Sequence, residues 1–283
     1  MPMVDTSDQC SLHYLESSYV DAWAAEPETV LLVHGMAESA LAWTAWVPQL
    51  ARRFRVVRVD LPGFGRSRLH SADFDVSVAG FATELARFLD VTGIGKAHLV
   101  GAKLGGSVVL DLASRFPDRA RSVTAVTGPM WAEGEGRIVH QQDISGSVTE
   151  HGTEQWARDT MARRLGSGVS DAQREWWIGL MAATDGDLIA RAARANATLD
   201  LRPRLHQITA PALMITSKGS PLSGGAAPGV WRDRIAHSHG FLVLPCDGYH
   251  VAAAMPDVCA AIVAAFLGGA APDELALLAA DAA

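Results

Sequence analysis

An apolar run, Lys96-Ala-His-Leu-Val100, opens without a linker onto Gly101-Ala102-Lys103-Leu104-Gly105-Gly106. The spacing is G-x-Nu-x-G, the outline of a turn so sharp between a strand and a helix that the central side chain is pushed out of it. Few chain paths satisfy such a turn. It calls for a strand ending at Val100 and a helix starting at Leu104. The residue at the centre is Lys103, where a serine, cysteine or aspartate would have fixed the chemistry.

The rest of the chain alternates around that stretch. Residues 11–24 alternate loosely and predict one or two opening strands, and 29–33 form a short apolar run that stops at His34-Gly35-Met36. Leu41, Trp43, Trp46, Val47 and Leu50 recur at helical spacing, followed by a strand at 55–59 and the loop Asp60-Leu-Pro-Gly-Phe-Gly-Arg-Ser67. Asp60 reads as an acid that holds loop amides, since a carboxylate opening a proline and glycine turn serves that purpose. Residues 77–89 carry Val78, Phe81, Leu85 and Phe88 on one helical face, and a helix over 104–115 precedes a strand at 121–127. Strands follow again at 211–216 and 240–245, with helices around 230–236 and 256–267 and a short one near 275–278. Strand and helix alternation implies crossover connections, so the fold class is α/β with a mostly parallel central sheet flanked by helices.

Between 128 and 205 the alternation stops. A structureless loop of that length is improbable inside a compact domain, so the segment predicts a mostly helical insertion. The expected organisation is a core from 1–127 and 206–283 with an insertion at 128–205. Trp131 and Trp156 lie in the insertion and are candidates to line a pocket, as are glues between layers.

With 24 basic and 31 acidic residues in 283, the net charge is −7, and no basic run offers a track for phosphates. Nucleic acid is therefore not an expected partner. Cys10, Cys246 and Cys259 show no C-x-x-C spacing and the histidines are scattered, so neither a disulfide framework nor a metal site is expected. No stretch has G-x-G-x-x-G spacing, and no cofactor is predicted. The amino terminus lacks a charged segment leading into an apolar run, and no window approaches eighteen apolar residues. The expectation is a soluble, cytoplasmic protein whose partner is a small-molecule substrate; oligomeric state is not written in the chain.

Taken in order, His34-Gly35, Asp60 to Ser67, the turn at Lys103, the insertion and Gly248-Tyr249-His250 resemble an α/β-hydrolase with a helical cap, over roughly residues 27–268. The resemblance implies a triad of nucleophile, late histidine and acid, with two backbone amides forming an oxyanion hole. Carried over by position, the nucleophile falls on Lys103, the histidine on His250 and the oxyanion amides on Met36 and Leu104, with Gly35 beside them. The acid falls on Ser220 or its neighbours, where Ser217-Lys218-Gly219-Ser220-Pro221 holds no carboxylate. The alternative place, Gly128-Pro129-Met130, holds none either. Glu38, a few residues past His34-Gly35, is an accessory candidate.

An amine at the apex has four uses. As an acyl acceptor it is poor, because ester attack would leave an amide that resists hydrolysis. As a Schiff-base former it must be neutral, which burial achieves. As a general acid or base it exchanges a proton with substrate while His250 handles the other. As a fixed cation it stabilises an enolate or carboxylate. The expectation is an acid/base or electrostatic role for Lys103 in a lyase, decarboxylase, isomerase or cyclase acting on a small to medium, largely apolar carbonyl or carboxylate compound. The alternatives are retro-aldol chemistry through an imine, an inactive ligand-binding protein, and an unusual hydrolase of an ester, lactone or C–C bond.

Overall fold

The computed structural model describes residues 2–132 and 141–281. Residues 133–140 of the predicted insertion and the last two residues of the predicted tail lie outside the described residues. The strands are β1 (Met3–Ser7), β2 (Cys10–Ser17), β3 (Thr29–Val33), β4 (Arg55–Val59), β5 (Arg68–Leu69), β6 (Ala97–Ala102), β7 (Ala120–Val126), β8 (Ala212–Ser217) and β9 (Ser238–Leu244). They form one sheet in the order β1-β2-β4-β3-β6-β7-β8-β9, with the short β5 alongside β2. Every pairing from β4 to β9 is parallel, and only the β1–β2 hairpin, its join to β4 and β5 are antiparallel.

The continuous apolar run of β3 has a simple cause. Leu31 and Val33 pack into one buried cluster with Phe81, Leu85 and Val108, while Val30 and Leu32 pack into a second with Trp46 and Ile262 on the opposite face. A strand covered on both sides has no polar face to display. The helices that cover it are α1 (Val47–Leu50), α2 (Val78–Val91), α3 (Leu104–Arg115) and, after the insertion, elements named below. Residues 40–46, expected to be α-helical, form a 3₁₀ segment whose entry Ser39 caps through the Leu41 amide.

The insertion contributes three helices, α4 (Gln141–Leu165), α5 (Asp171–Ala182) and α6 (Gly186–Ala195). α4 bends at Gly152, whose φ of 81° is outside the helical region. Trp156, Met161, Trp177 and Ile178 form a small core of their own that reaches down to Ala37 and Ala253 of the sheet domain. The helices α7 (Ala227–Arg234), α8 (Val251–Ala254), α9 (Pro256–Leu267) and α10 (Pro272–Ala280) complete the chain. Among the described residues no helix is long and apolar enough to cross a membrane.

Candidate active site

The turn after β6 explains its own glycines. A Cβ on Gly101 would lie 2.1 Å from the Gly105 carbonyl oxygen, and one on Gly105 would lie 2.1 Å from the oxygen of Val33. Backbone therefore crosses backbone at both points, and any side chain would force strand and helix apart. Lys103 at the apex has φ 57° and ψ −119°, a conformation costing of order 1–3 kcal/mol for a residue with a Cβ. The surrounding crossings impose it. Its side chain leaves the turn beside the start of α3.

Lys103 is 7% exposed, and among the described residues its Nζ has no hydrogen-bond partner. The amine lies 3.8 Å from the centre of the Tyr249 ring, which covers it. Burial pushes the Lys103 ammonium well below the ordinary lysine range; Arg164 adds repulsion, Glu38 opposes, and Arg163 repels further. The positive end of the α3 dipole acts in the same direction. A neutral amine is the form that can sit unpartnered in such a place.

Glu38, the accessory candidate of the sequence, supplies a carboxylate to His250. Its Oε1 stands 2.9 Å from His250 Nε2, and its Oε2 accepts the Gly35 amide at 3.0 Å. Both side chains are almost fully buried, at 2% and 3% exposure. Burial alone would raise the Glu38 carboxyl, but the charge and hydrogen bond of His250, with His34 and the Gly35 amide, hold it below its ordinary value. An ionised carboxylate only accepts, so Nε2 carries the hydrogen and Nδ1 is the nitrogen left to act as a base. Resemblance to a conventional triad predicts the opposite assignment, with Nδ1 toward the acid.

Met36, in the loop after β3, and Leu104, the first residue of α3, line the same cleft as Lys103 and Glu38. Among the described residues neither amide has a protein acceptor. Met36, Leu104, Trp156, Leu199 and Tyr249 wall this cleft, which also takes in Glu38, Lys103 and Arg164 and has a cavity volume of about 70 Å³.

Over residues 28–147 the chain matches the family model described as the α/β hydrolase fold. The chain has the α/β-hydrolase fold. It is 42% identical over 101 residues to the dihydrolipoyllysine-residue acetyltransferase component of the acetoin cleaving system of Cupriavidus necator, covering 35% of this chain and 26% of that one. It is 39% identical over 107 residues to the pimeloyl-[acyl-carrier protein] methyl ester esterase of Aeromonas hydrophila, covering 38% of this chain and 40% of the esterase. The matched stretch thus spans less than half of either relative. The solved enol-lactonase of Burkholderia xenovorans LB400 superposes with a TM-score of 0.79 at 20% identity, over 94% of this chain and all of that one.

Within this hydrolase fold, Lys103, Glu38, Met36, Leu104 and Trp156 lie on the wall of one cleft, and His250 joins them through its hydrogen bond to Glu38. Gly35 sits behind them: a Cβ there would meet Glu38 Oε1 at 2.6 Å and the Lys103 Cβ at 3.1 Å. Three expectations are corrected. Ser220 caps the 3₁₀ turn at Pro221–Ser223 through the Leu222 amide, and among the described residues the hydrogen bond to the His250 ring comes from Glu38. His250 does not lack an orienting acid, because the Glu38 loop reaches the imidazole from the β3 side. Trp131 is not a cleft residue; it is 2% exposed in the core, with the Arg202 guanidinium over its ring.

Asp60 does what its position in the loop suggests. Its oxygens accept the Ala40 amide at 2.6 Å, the Arg66 amide at 2.9 Å and His13 Nδ1 at 2.7 Å. His34 is also committed to the loops, since its Nε2 accepts the Leu61 amide at 2.9 Å and its Nδ1 faces the Gly35 carbonyl at 2.7 Å. Arg164 and Tyr249 escaped the sequence reading. Tyr249 adjoins His250, which was a usable signal, whereas nothing in the sequence singled Arg164 out from the other arginines of the insertion.

Proposed function

We propose that this chain is an enzyme that moves a proton at the carbon beside a carbonyl group in a small to medium, largely apolar compound. Lys103 acts as the acid/base group in place of a hydroxyl nucleophile, and the Glu38–His250 pair serves as its partner. The supporting observation is the buried, unpartnered Lys103 amine, pushed toward its neutral form, at the apex of the turn beside two free amides. A carbonyl oxygen seated on the Met36 and Leu104 amides gains negative charge as the adjacent proton leaves for the Lys103 amine. The resulting enolate takes the proton back at another carbon, or forms in the reverse sense when a neighbouring bond breaks. Isomerase, lyase and decarboxylase reactions share that step.

The names of the relatives favour a second reading. In it the Glu38–His250 pair takes a proton from a water that attacks an ester, lactone or C–C-linked carbonyl, His250 returns that proton to the leaving group, and Lys103 only lines the site.

Exchange of α-hydrogens for deuterium, followed by NMR over a panel of ketones and keto acids in D₂O, tests the first reading. Native protein is expected to exchange and Lys103→Ala to lose exchange by 100-fold or more. The pH profile should rise as the amine deprotonates, with its midpoint below the ordinary lysine range. Ester or lactone hydrolysis that survives Lys103→Ala, without exchange, would replace this reading by the second. Borohydride trapping of a substrate on Lys103, read by intact mass, would instead assign an imine mechanism.

A further inference from the structure

Arg164 closes the lid side of the cleft and has an unusual standing there. It is 7% exposed, and among the described residues no carboxylate lies within salt-bridge distance of it. Its Nε donates to Thr160 Oγ1 at 2.9 Å, and its guanidinium carbon stands 4.7 Å from the Trp156 ring centre and 5.7 Å from that of Tyr249. Two aromatic faces thus fix the plane of the guanidinium. Its backbone is fixed as well: the Arg164 carbonyl accepts the His250 amide at 2.8 Å. Gly248 lies so close that a Cβ there would meet the Leu165 carbonyl carbon at 2.4 Å. The end of α4 is therefore joined directly to the loop that carries His250.

Among the described residues Arg164 finds no carboxylate partner on the cleft wall. Glu38 is the only acid on that wall among the described residues, and both its oxygens are already engaged, by His250 and by the Gly35 amide. Ser107, the hydroxyl on the wall, is spent on the Pro129 carbonyl at 2.5 Å. A buried guanidinium without an anion is costly, and its terminal N–H pairs form a planar fork that matches a carboxylate in two parallel hydrogen bonds. Asn196, also on the wall, is engaged by the Val78 amide and the Val76 and Ala192 carbonyls, and Met36, Leu104, Ile144, Trp156 and Leu199 are apolar and match a hydrocarbon body.

We propose that Arg164 is the anchor for a carboxylate on the substrate, so that the cleft selects a small monoanionic acid with an apolar body and presents its carbonyl to the Met36 and Leu104 amides. This rests on the proton-transfer reading of the same cleft and narrows its substrate class. The anchored charge also offsets the repulsion that Arg164 exerts on Lys103.

The test compares hexanoate, benzoate and phenylacetate with their primary amides by isothermal titration calorimetry on the full chain. Native protein is expected to bind at least one acid ten or more times tighter than its amide. Arg164→Gln should remove that preference, Arg164→Lys should restore part of it, and the exposed Arg232→Gln should leave it unchanged. Lys103→Met should keep the preference. Equal binding of acid and amide by native protein, or no acid binding at 10 mM, overturns the proposal without any variant having to fold. A preference that vanishes with Lys103→Met and survives Arg164→Gln overturns the anchor while leaving the Lys103 reading intact. A preference lost only in the Arg164 variants, in a protein whose Lys103→Ala form still turns over, supports the anchor and removes the proton-transfer reading.

Discussion

His250 Nε2 and Glu38 Oε1 stand 2.9 Å apart across 212 residues of sequence, both buried. The acid enters from the loop after β3, not from the loop after β8 where the hydrolase pattern places it. Its other oxygen is held by the Gly35 amide, so the carboxylate is fixed at both ends. The pair ties the tautomer of His250 to the same short loop that supplies the Met36 amide.

Replacing Glu38 by Gln keeps the shape and removes the charge. Turnover should fall by about 100-fold or more, because the imidazole loses the acceptor that sets its tautomer. Stability should fall by about 1–3 kcal/mol, the cost of a buried hydrogen bond to a charged group. The folded-state pKa of Glu38 lies below its ordinary 4.5, so its stabilising contribution is full above that value and is lost as pH falls through the folded pKa. Urea midpoints of native and Glu38→Gln protein should converge on acidification, and a gap independent of pH would contradict the assignment.

Lys103 runs the other way. Its pKa in the folded chain is pushed well below 10.5, so between those two values the unfolded chain binds one more proton and stability rises with pH. Each pH unit of that window is worth about 1.4 kcal/mol. Lys103→Met should therefore raise the melting temperature at neutral pH while abolishing turnover. The gain should shrink as pH approaches the ordinary lysine range. A lysine whose removal destabilises the protein at pH 7 would be a paired cation, and the acid/base role would fall with it.

The mostly parallel sheet and the turn at Lys103 were legible because each rests on local signals: a buried run, a glycine pair beside the turn, a breaker before a helix. What stayed hidden was pairing between distant loops. Glu38 is an ordinary surface residue type in a loop of small residues, and only the path of that loop, with Ala37 at φ 61°, turns it inward. Arg164 depends on where the end of α4 docks, which is set by Asp247 accepting the Ser167 amide and by the room left at Gly248. No spacing in the sequence records either contact. Trp131 failed for the opposite reason, since a tryptophan in an insertion gives no sign of which layer it packs into.

Asp60 separates a structural acid from a functional one. Asp60→Ala strips the Ala40 and Arg66 amides and His13 Nδ1 of a buried acceptor. Each orphaned group costs about 1–3 kcal/mol, so the variant should lose several degrees or more of melting temperature. The protein that remains folded should keep its turnover number within a few-fold. A stable variant with lost turnover would move Asp60 into the reaction.

Tyr249 covers the Lys103 amine at 3.8 Å from the ring centre and shields it. The chain has only three lysines, and the other two, Lys96 and Lys218, are exposed. Acetylation with acetic anhydride, mapped by mass spectrometry, can therefore be read at each site. In native protein Lys103 should react more slowly than Lys96 and Lys218 despite its depressed pKa, because the reagent must displace the ring. Tyr249→Ala should speed acetylation of Lys103 by tenfold or more and leave Lys96 and Lys218 unchanged. The amine, once uncovered, should react faster at neutral pH than the two exposed lysines, since a larger fraction of it is unprotonated. Equal Lys103 rates with and without the ring would mean that Tyr249 does not guard the site, and the cleft would be open to substrate without any movement of that side chain.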